Sequence, residues 1–391
     1  MQNLHWRIYK FKKIGDILKI EDIKNQLEKK KLENNLRTLK IFREEDLNLS
    51  SNDYLGIGQD RKLKEEFLEK YRDKILFSSS SSRLITGNYK IIRDLEERLN
   101  KIYGKSSLVM NSGFSANKTI IETFYNKNSL IITDRLNHSS IYAGILESGA
   151  KVVRYRHLDI DHLKTVLEKY KKDYDDILVV TETVYSMDGD IAPIKKIVDL
   201  KKKYRFDLMV DEAHSYGVFG YGIAYEENLL KDIDFLTIPL GKGGGSIGSY
   251  IICDEIYREY LINFGREIIY TTSLPPVNAL WNLFILEKME EFSDRRKKLW
   301  ELIDFSKEKI KELEINAICD SQIMALIIGD NKKADIISKN LRDKGYVVYS
   351  IKSPTVAKGT ERIRVGLNPN ISKEEIFNFL KEFKNELNSI F

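Results

Sequence analysis

Three polar residues in the middle of the chain have side chains that could act together in catalysis. Asp211 and His214 lie in the segment FDLMVDEAHSYGVFG, and Lys242 lies in the glycine-rich segment LGKGGGSIG, each after an apolar stretch. An amine in a dry, partly cationic pocket has a lowered pKa and attacks carbonyl groups. A buried carboxylate beside a protonated ring nitrogen keeps that nitrogen charged. Together these residues indicate a site for an aldehyde cofactor with a ring nitrogen.

The same residues are also compatible with unrelated roles. A lysine among glycines is typical of an exposed turn, because glycine marks loops of many kinds. A nucleotide phosphate loop would need a glycine in place of Leu236 and a serine or threonine in place of Gly243, so a phosphate loop is weakly supported. The letters DEAH around Asp211 could mark a nucleotide-driven motor, but such motors need a phosphate loop upstream, and none is present.

Three further positions could bind parts of a cofactor or its substrate. Ser112, Gly113 and Phe114 stand where a strand gives way to a helix, and the backbone amides of a helix start bind phosphate, although Ser-Gly is also an ordinary helix cap. His138, in DRLNHSS, could stack on a planar ring or cap a helix. Arg364, in ERIRVGL, could bind a carboxylate or lie on a solvated strand face. We expect the remaining histidines to lie on the surface: His5, His157 and His162.

These residues lie at the ends of elements that alternate regularly along the chain. Apolar segments with little polar alternation predict buried strands at 107–110, 130–133, 151–155, 177–181, 206–211, 234–239 and 249–253. Helical patterns between them predict helices at 114–126, 138–148, 160–171 and 193–204. The expected fold class is α/β, with a mainly parallel seven-stranded sheet and helices on both faces. In such sheets ligands bind beyond the carboxyl ends of the strands.

The patterns before and after this region predict three parts of the chain. Residues 1–59 form an N-terminal arm, helical within 15–45 and followed by a short strand. Residues 60–285 form a large α/β domain, and residues 286–391 form a smaller C-terminal α/β domain. Outside the sheet we expect helices at 60–73, 89–103, 276–314, 332–344 and 372–389, and strands at 323–329, 346–350 and 361–367.

The composition excludes several other classes of protein. The chain has 391 residues, of which 42% are hydrophobic, and its 64 basic and 59 acidic residues are interleaved, which is typical of solvated helix faces and not of a nucleic-acid site. Two separated cysteines, Cys253 and Cys319, form neither a metal site nor a disulfide framework on their own. No run of 18 apolar residues and no signal-peptide core are present. We expect a cytoplasmic protein without metal, membrane or nucleic-acid partners.

Nine segments, taken in order, resemble the α-oxoamine synthases, a family of fold-type I pyridoxal-phosphate (PLP) transferases. The match extends over nearly the whole chain from about residue 30, and it is specific because nine segments agree in one order. The segments are LNLSSNDYLG (47–56), SRLITGN (82–88), NSGFSAN (111–117), TDRLNHSSI (133–141), TETVYSMDGDIAPI (181–194), VDEAHSYGVFG (210–220), GKGGGSIG (241–248), IIYTTSLPP (268–276) and SPTVAKGTERIRV (353–365).

The resemblance implies a bound PLP and a role for each residue around it. Lys242 would bind the cofactor covalently, Asp211 would pair with the ring nitrogen, and His214 would contact the phenolic oxygen. His138 would stack on the ring, so that these four residues are the expected catalytic group. The implied phosphate ligands are Ser112, Gly113 and Phe114. The family has a further phosphate-binding threonine three residues before the lysine, where this chain has Pro239.

The resemblance also implies substrate ligands and a homodimer. In the family a Thr-Thr-Ser segment contacts the cofactor phosphate of the partner subunit, which here corresponds to Thr271 and Thr272. Ser186 is implied near both cofactor and substrate, and Glu182 near the substrate. The remaining substrate ligands implied are Asn52 and Arg364 for the amino-acid carboxylate, and an N-terminal arginine for the acyl chain, for which Arg37 is the candidate, although Asn34 is an alternative aligned position.

Two segments favour one activity within the family. FGREIIYTTSLPP and SPTVAKGTERIRV most resemble members that condense L-alanine with a pimeloyl thioester, with loss of carbon dioxide, early in biotin synthesis. The acyl carrier would be CoA or a carrier protein. Other members use glycine with acetyl-CoA or serine with a long-chain acyl thioester, and a non-catalytic relative that keeps the fold is a further alternative.

Overall fold

The computed structural model describes residues 19–33 and 35–390. The described chain begins with helix α1 over 19–32, continues without regular helix over 35–46, and enters the two-residue strand β1 (Leu47–Asn48). The predicted N-terminal helix is therefore shorter than 15–45, and its first residues, 15–18, lie outside the described part.

Seven strands form the central sheet at the predicted positions. They are β2 (Ser106–Met110), β3 (Leu130–Asp134), β4 (Lys151–Tyr155), β5 (Ile177–Glu182), β6 (Asp207–Asp211), β7 (Phe235–Pro239) and β8 (Ser249–Cys253). Their order across the sheet is β2-β8-β7-β6-β5-β3-β4. Only β8 runs antiparallel to both its neighbours, so the prediction of a mainly parallel seven-stranded sheet is confirmed.

Six of the seven strands are buried on both faces, which explains why they show no polar alternation. Four of the five residues of the edge strand β4 are exposed or partly exposed, so the prediction of a buried strand at 151–155 is wrong. Successive residues of a strand point to opposite faces. In β5, Val179 packs with helices of one face, while Leu178 and Val180 pack with α4 and α5 on the other. The helices of the large α/β part are α2 (Arg61–Tyr71), α3 (Lys90–Tyr103), α4 (Gly113–Phe124), α5 (Ser139–Ser148), α6 (Ile160–Tyr170), α7 (Ile194–Lys201), α8 (Ile223–Glu226), α9 (Glu255–Phe264) and α10 (Arg266–Ile269).

The C-terminal part contains a second, smaller sheet. After α11 (Pro276–Glu287), which starts on a proline, the chain makes a short turn of 3-10 helix (Glu290–Phe292) and then forms α12 (Ser293–Glu312). The remaining elements are β9 (Ala317–Ile318), β10 (Ile323–Ile327), α13 (Asn331–Asp343), β11 (Tyr346–Val347), β12 (Tyr349–Ile351), β13 (Arg362–Gly366) and α14 (Lys373–Ile390). The strands β12, β13, β10 and β9 form an antiparallel sheet, and β11 pairs with β1.

Two predicted elements are divided in the structure, and some observed elements were not predicted. The predicted helix 276–314 is two helices separated by the 3-10 turn. The predicted strand 346–350 is divided at Val348, whose carbonyl accepts a hydrogen bond from Ser338 Oγ at 3.0 Å, so that β11 and β12 join different sheets. Helices α8, α9 and α10 and strand β9 were not predicted. Within the described residues, no helix is both long enough and apolar enough to span a bilayer.

Strand register places three polar side chains next to one another at the carboxyl edge of the central sheet. Glu182 of β5 lies opposite Asp211 of β6, and Asp211 lies opposite Thr237 of β7. His138 follows β3 and Lys242 follows β7, so both enter the same edge of the sheet. The fold thus brings the carboxyl ends of four strands to one place.

Candidate active site

A cavity of about 220 Å³ lies at this edge of the sheet, beside the first turn of α4. Nine of the residues singled out from the sequence line it: Asn52, Ser112, Gly113, Phe114, His138, Glu182, Asp211, His214 and Lys242. Asn117, Ser140 and Pro239 also line it. The cavity therefore combines an amine, two carboxylates, two imidazoles and a helix N-terminus.

The carboxylate of Asp211 is held by two donors. Its Oδ1 accepts from the backbone N–H of Ala213 at 2.8 Å, and its Oδ2 accepts from Asn117 Nδ2 at 2.6 Å. Asp211 is buried at the end of β6. This pair of donors fixes the orientation of the Asp211 carboxylate at the edge of the cavity.

Asn117 connects Asp211 to His138. The second N–H of its amide donates to Ser140 Oγ at 3.0 Å, and its Oδ1 accepts from Thr237 Oγ1 at 2.8 Å. Ser140 Oγ lies 2.8 Å from His138 Nδ1. Because Ser140 Oγ accepts from Asn117, its own proton is available for the imidazole, and the ring of His138 is fixed against the cavity.

Lys242 enters the cavity from a turn that only small residues allow. A Cβ on the adjacent Gly243 would lie 2.1 Å from the carbonyl oxygen of Tyr216. The Lys242 amine makes no hydrogen bond or ion pair with the residues that the structure describes. Burial lowers its pKa, the charge of Arg364 lowers it further, and Asp211 and Glu182 oppose both effects. A lysine with a lowered pKa is a stronger nucleophile at neutral pH.

Glu182 is buried at the end of β5. Its Oε1 accepts from the backbone N–H of His138 at 2.6 Å, which anchors the start of α5 to the sheet. Burial and the charge of Asp211 raise its pKa well above the usual range. With two carboxyl groups side by side, the one with the raised pKa is the natural proton carrier.

His214 belongs to a buried network with two residues of other segments. Its Nδ1 lies 2.7 Å from the hydroxyl of Tyr54, which in turn accepts from Arg364 Nη2 at 3.0 Å. Arg364 also donates from Nη2 to Asn52 Oδ1 at 3.0 Å and from Nε to the carbonyl of Ser186 at 2.5 Å. Burial and the nearby cations lower the pKa of His214 well below its usual value, so the imidazole is neutral and its Nε2 is left for a ligand.

The N-terminus of α4 presents unused backbone donors to the cavity. Ser112 caps the helix by accepting from Ser115 N at 3.1 Å. The amides of Gly113 and Phe114 precede the first intrahelical bonds and face outward, as at anion sites. Pro239 closes this end, because a Cβ on Gly113 would meet its Cγ at 2.4 Å.

Five predicted site residues do not line this cavity. Ser186 and Arg364 lie beside it, where Arg364 bonds to Asn52 of the cavity lining and to the carbonyl of Ser186. Thr271 and Thr272 lie outside it, and the Thr272 carbonyl accepts from Asn111 Nδ2 at 2.6 Å. Arg37 is exposed on the N-terminal arm. Asn34, the alternative to Arg37, lies outside the described residues.

The expectation that His157 lies on the surface is wrong. Its side chain is only 13% exposed, because Asp134 and Asp190 converge on it from two segments far apart in the chain. His162 is partly buried and its Nδ1 accepts from the backbone N–H of Arg156 at 2.8 Å. His5 lies outside the described residues.

Sequence reasoning missed Asn117 and Tyr54. Both lie in quoted segments, NSGFSAN and LNLSSNDYLG, but their partners come from other strands and could not be read from spacing. One signal was available: Asn117 follows Gly113 by one helical repeat, so both lie on the same face of α4. No cluster of His, Cys, Asp or Glu within residues 19–33 and 35–390 is arranged to hold a metal ion.

Comparisons with known proteins agree with this geometry. The family model for aminotransferase class I and II matches residues 44–383. A Haemophilus influenzae protein provisionally named 8-amino-7-oxononanoate synthase is 40% identical over 377 residues, which are 92% of this chain and 99% of that protein.

Two solved structures are also similar. A structure of serine palmitoyltransferase (SPT) with a PLP internal aldimine has a TM-score of 0.82 and 29% identity over 88% of each chain. 8-Amino-7-oxononanoate synthase from Francisella tularensis has a TM-score of 0.76 and 27% identity over 89% of this chain and 99% of that one. The predicted fold-type I class and the resemblance to α-oxoamine synthases are confirmed. Since the family model spans most of the chain, this protein belongs to the aminotransferase class I and II family.

Proposed function

We propose that this protein is a PLP-dependent α-oxoamine synthase that condenses L-alanine with a pimeloyl thioester to give 8-amino-7-oxononanoate. The observation that carries the proposal is the meeting of Lys242, Asp211, His138 and the α4 N-terminus in one cavity. The names of the Haemophilus and Francisella relatives supply the product. The pimeloyl chain and the two alanine carbons that survive decarboxylation together make its nonanoate skeleton.

The residues of the cavity fit PLP in charge and placement. Lys242 offers an amine for the aldehyde, and Asp211 offers an oriented carboxylate for the ring nitrogen. The amides of Gly113 and Phe114 with Ser112 suit a phosphate dianion. When bound, the cofactor supplies an electron sink for negative charge on the amino-acid α-carbon.

Each residue of the cavity would then have its own role in the reaction. Asp211, oriented by its two donors, would pair with the ring nitrogen and keep it protonated. His138 would hold one face of the ring, and His214 Nε2 would hold the phenolic oxygen. Lys242 Nζ would take the α-proton of alanine and later return one. Glu182, with its raised pKa, can exchange a proton beside Asp211.

Substrate binding is assigned to the network around Arg364. Its guanidinium is oriented by Asn52 and the Ser186 carbonyl and would donate to the alanine carboxylate. Ser186 would also lie beside the cofactor. Arg37 would contact the acyl chain.

The site would be completed by a second copy of the chain. In this proposal the protein is a homodimer in which Thr271 and Thr272 bind the cofactor phosphate of the partner subunit. This assignment accounts for their position outside the cavity of their own chain. The proposed division of the chain, at 59/60 and 285/286, leaves the cofactor with the large domain and Arg364 with the small one.

The first test is the visible absorbance of the purified protein with PLP. We expect a band near about 420 nm, as for a lysine-bound PLP, and its loss in Lys242→Ala. A band that survives the substitution would contradict the assignment of Lys242. Lys195→Ala, on the surface of α7, is the matched control and should keep the band.

The second test is product analysis with alanine, glycine and serine against pimeloyl, acetyl and palmitoyl thioesters. One observation favours the alternative of serine with a long acyl chain, because SPT has the higher TM-score of the two solved structures. We expect turnover with alanine and pimeloyl thioester. No product with alanine would rule out the first proposal and leave the second.

A further inference from the structure

A short loop connects β5 to α7 and is tightly bonded to itself. We call residues 183–192 the β5–α7 loop. Its two sides pair as an isolated antiparallel bridge between Val184 and Ile191. Inside it, the N–H of Tyr185 donates to the carbonyl of Asp190 at 3.0 Å. The loop therefore moves as a unit if it moves at all.

Strand β13 of the second sheet binds this loop at two points. Arg364 Nε donates to the carbonyl of Ser186 at 2.5 Å. Arg362 forms an ion pair with Asp188. The position of the Arg364 guanidinium thus depends on where the β5–α7 loop lies.

His157 holds the opposite side of the loop. Its Nε2 lies 2.7 Å from Asp190 Oδ2, its Nδ1 lies 2.9 Å from Asp134 Oδ1, and its ring packs edge-on against Tyr185 with 4.4 Å between centroids. Asp134 has other donors, including the N–H of Leu158 at 3.0 Å. Asp190 Oδ1 has no hydrogen-bond partner in the described chain, so the Asp190 carboxylate depends on His157.

The imidazole is charged at neutral pH. Burial alone would lower its pKa, but hydrogen bonds and charges from Asp134 and Asp190 outweigh burial and raise the pKa to about 9. The titratable groups that face it are Asp134 on β3, Asp190 and Tyr185 on the loop, and Tyr155 on β4, which lies beside Asp134 and Tyr185. The pKa of His157 is higher in the folded protein than in the unfolded one. Its contact with Asp134 and Asp190 therefore stabilises the folded protein fully below the unfolded pKa of about 6.5. Its contribution is lost as pH rises through about 9.

We propose that His157 is a positioning residue for Arg364, acting through the β5–α7 loop. The inference rests on the proposed function only in taking Arg364 as the ligand of the substrate carboxylate. Without His157, Asp190 is left with a desolvated, unpaired carboxylate, and the loop must shift to hydrate it. Ser186 shifts with the loop, and Arg364 then loses an acceptor that orients it.

The first experiment needs neither cofactor nor turnover. Amide hydrogen exchange of residues 183–192 is measured in His157→Gln and in His162→Gln. His162 lies in the first turn of α6, and its Nδ1 accepts from the backbone N–H of Arg156 instead of from a group of the loop. We expect exchange about tenfold faster in His157→Gln and wild-type rates in His162→Gln. In the wild type, exchange corrected for its intrinsic pH dependence should rise as pH passes about 9, and His157→Gln should lack that rise.

The second experiment separates carboxylate binding from general damage. With PLP bound, the absorbance change on adding L-alanine or L-alaninol, which lacks the carboxylate, gives two dissociation constants. For His157→Gln we expect about tenfold weaker binding of alanine, unchanged binding of alaninol, and a raised KM with kcat little changed.

Two outcomes would overturn the inference. Unchanged loop exchange in His157→Gln would show that the histidine does not hold the loop, whatever the protein catalyses. Equal weakening of alanine and alaninol would show a general structural effect. A wild-type protein that binds neither amine while its loop exchange follows the expected pattern would instead contradict the proposed function and leave the loop contact established.

Discussion

Asn117 uses every hydrogen-bonding position of its side chain inside the cavity wall. Its two N–H groups bind Asp211 and Ser140, and its oxygen accepts from Thr237. A hydrogen bond to a charged group contributes more than a neutral one, about 1.5–3 kcal/mol against about 1. Its contact with Asp211 is therefore the one that matters most for the cofactor.

Replacing Asn117 by leucine keeps the branched shape of the side chain and removes both donors and the acceptor. We expect kcat/KM to fall roughly 10- to 100-fold, which corresponds to the loss of one charged hydrogen bond, and PLP to dissociate faster. Steady-state kinetics and fluorescence titration of PLP would measure these effects.

Thr237→Val is the control, because it removes only the neutral bond to the same amide. We expect a smaller effect, of about 1 kcal/mol. If Thr237→Val costs as much as Asn117→Leu, the contact with Asp211 is not the important one.

At the scale of single residues, the sequence predicted well which residues lie in the cavity and predicted poorly the hydrogen bonds among them. The expected cofactor ligands from Ser112 to Lys242, except Ser186, line the cavity because each follows a strand end. Asn117, Tyr54 and His157 were missed or misplaced because a hydrogen-bond partner from a distant strand leaves no local pattern.

Among the elements, α4 is the one that faces the expected phosphate. Its first residue, Gly113, packs directly on Pro239 at the end of β7. Because Pro239 has no hydroxyl, the helix amides are the phosphate donors of this chain. Phosphate binding therefore depends more on the position of the first turn of α4 than it would with a threonine at position 239.

Gly113→Ala tests that dependence. The added Cβ would meet Pro239 Cγ at 2.4 Å, so the helix start must move away from the strand. We expect a loss of stability of about 1–3 kcal/mol, as for other overpacked sites, together with markedly weaker PLP binding. Thermal unfolding and equilibrium dialysis would measure the two effects separately.

Gly144→Ala provides a matched control on α5. Its Cβ would meet the Ile121 Cβ at 2.9 Å, away from the cavity. We expect a similar loss of stability with unchanged PLP affinity. Equal PLP affinity in both variants would contradict a phosphate role for the α4 N-terminus.

How well whole strands and helices were predicted from the sequence depends on how they are buried. Strands buried on both faces are short apolar runs, and these six strands were placed within a residue or two, as was the exposed edge strand β4. The antiparallel direction of β8 was not readable, because direction depends on where the connecting chain passes and not on the strand's own residues. Helix α9 was missed because it has apolar residues on both sides. Ile256, Tyr260 and Phe264 are exposed and Leu261 is buried, so the sequence shows no division into an apolar and a polar face. Helix α10 has only four residues.

For the whole molecule, a patch of exposed apolar side chains bears on the proposed homodimer. Phe77 is 81% exposed, Ile85 is 76% exposed and Tyr270 is 79% exposed. Their segments are joined, since Ser82 pairs with Thr272 as an isolated bridge. Apolar patches of this kind mark protein interfaces, and this one surrounds the residues assigned to the partner's phosphate.

The double variant Phe77→Glu/Ile85→Glu should place repelling charges at a two-fold interface. We expect sedimentation as a monomer of 45.6 kDa, weaker PLP binding and little activity. Ile256→Glu, on the exposed face of α9, is the control and should remain dimeric. A double variant that stays dimeric would place the interface elsewhere.

The parallel pairing of β1 with β11 has a consequence for biosynthesis. Leu47 pairs with Tyr346, and Asn48 with Val347, so β1 leaves the ribosome long before its partner strand is made. At about 5–20 residues per second, tens of seconds of translation separate the two. A nascent chain that ends before Gly345 carries β1 unpaired, and this small sheet closes only after β11 has been made.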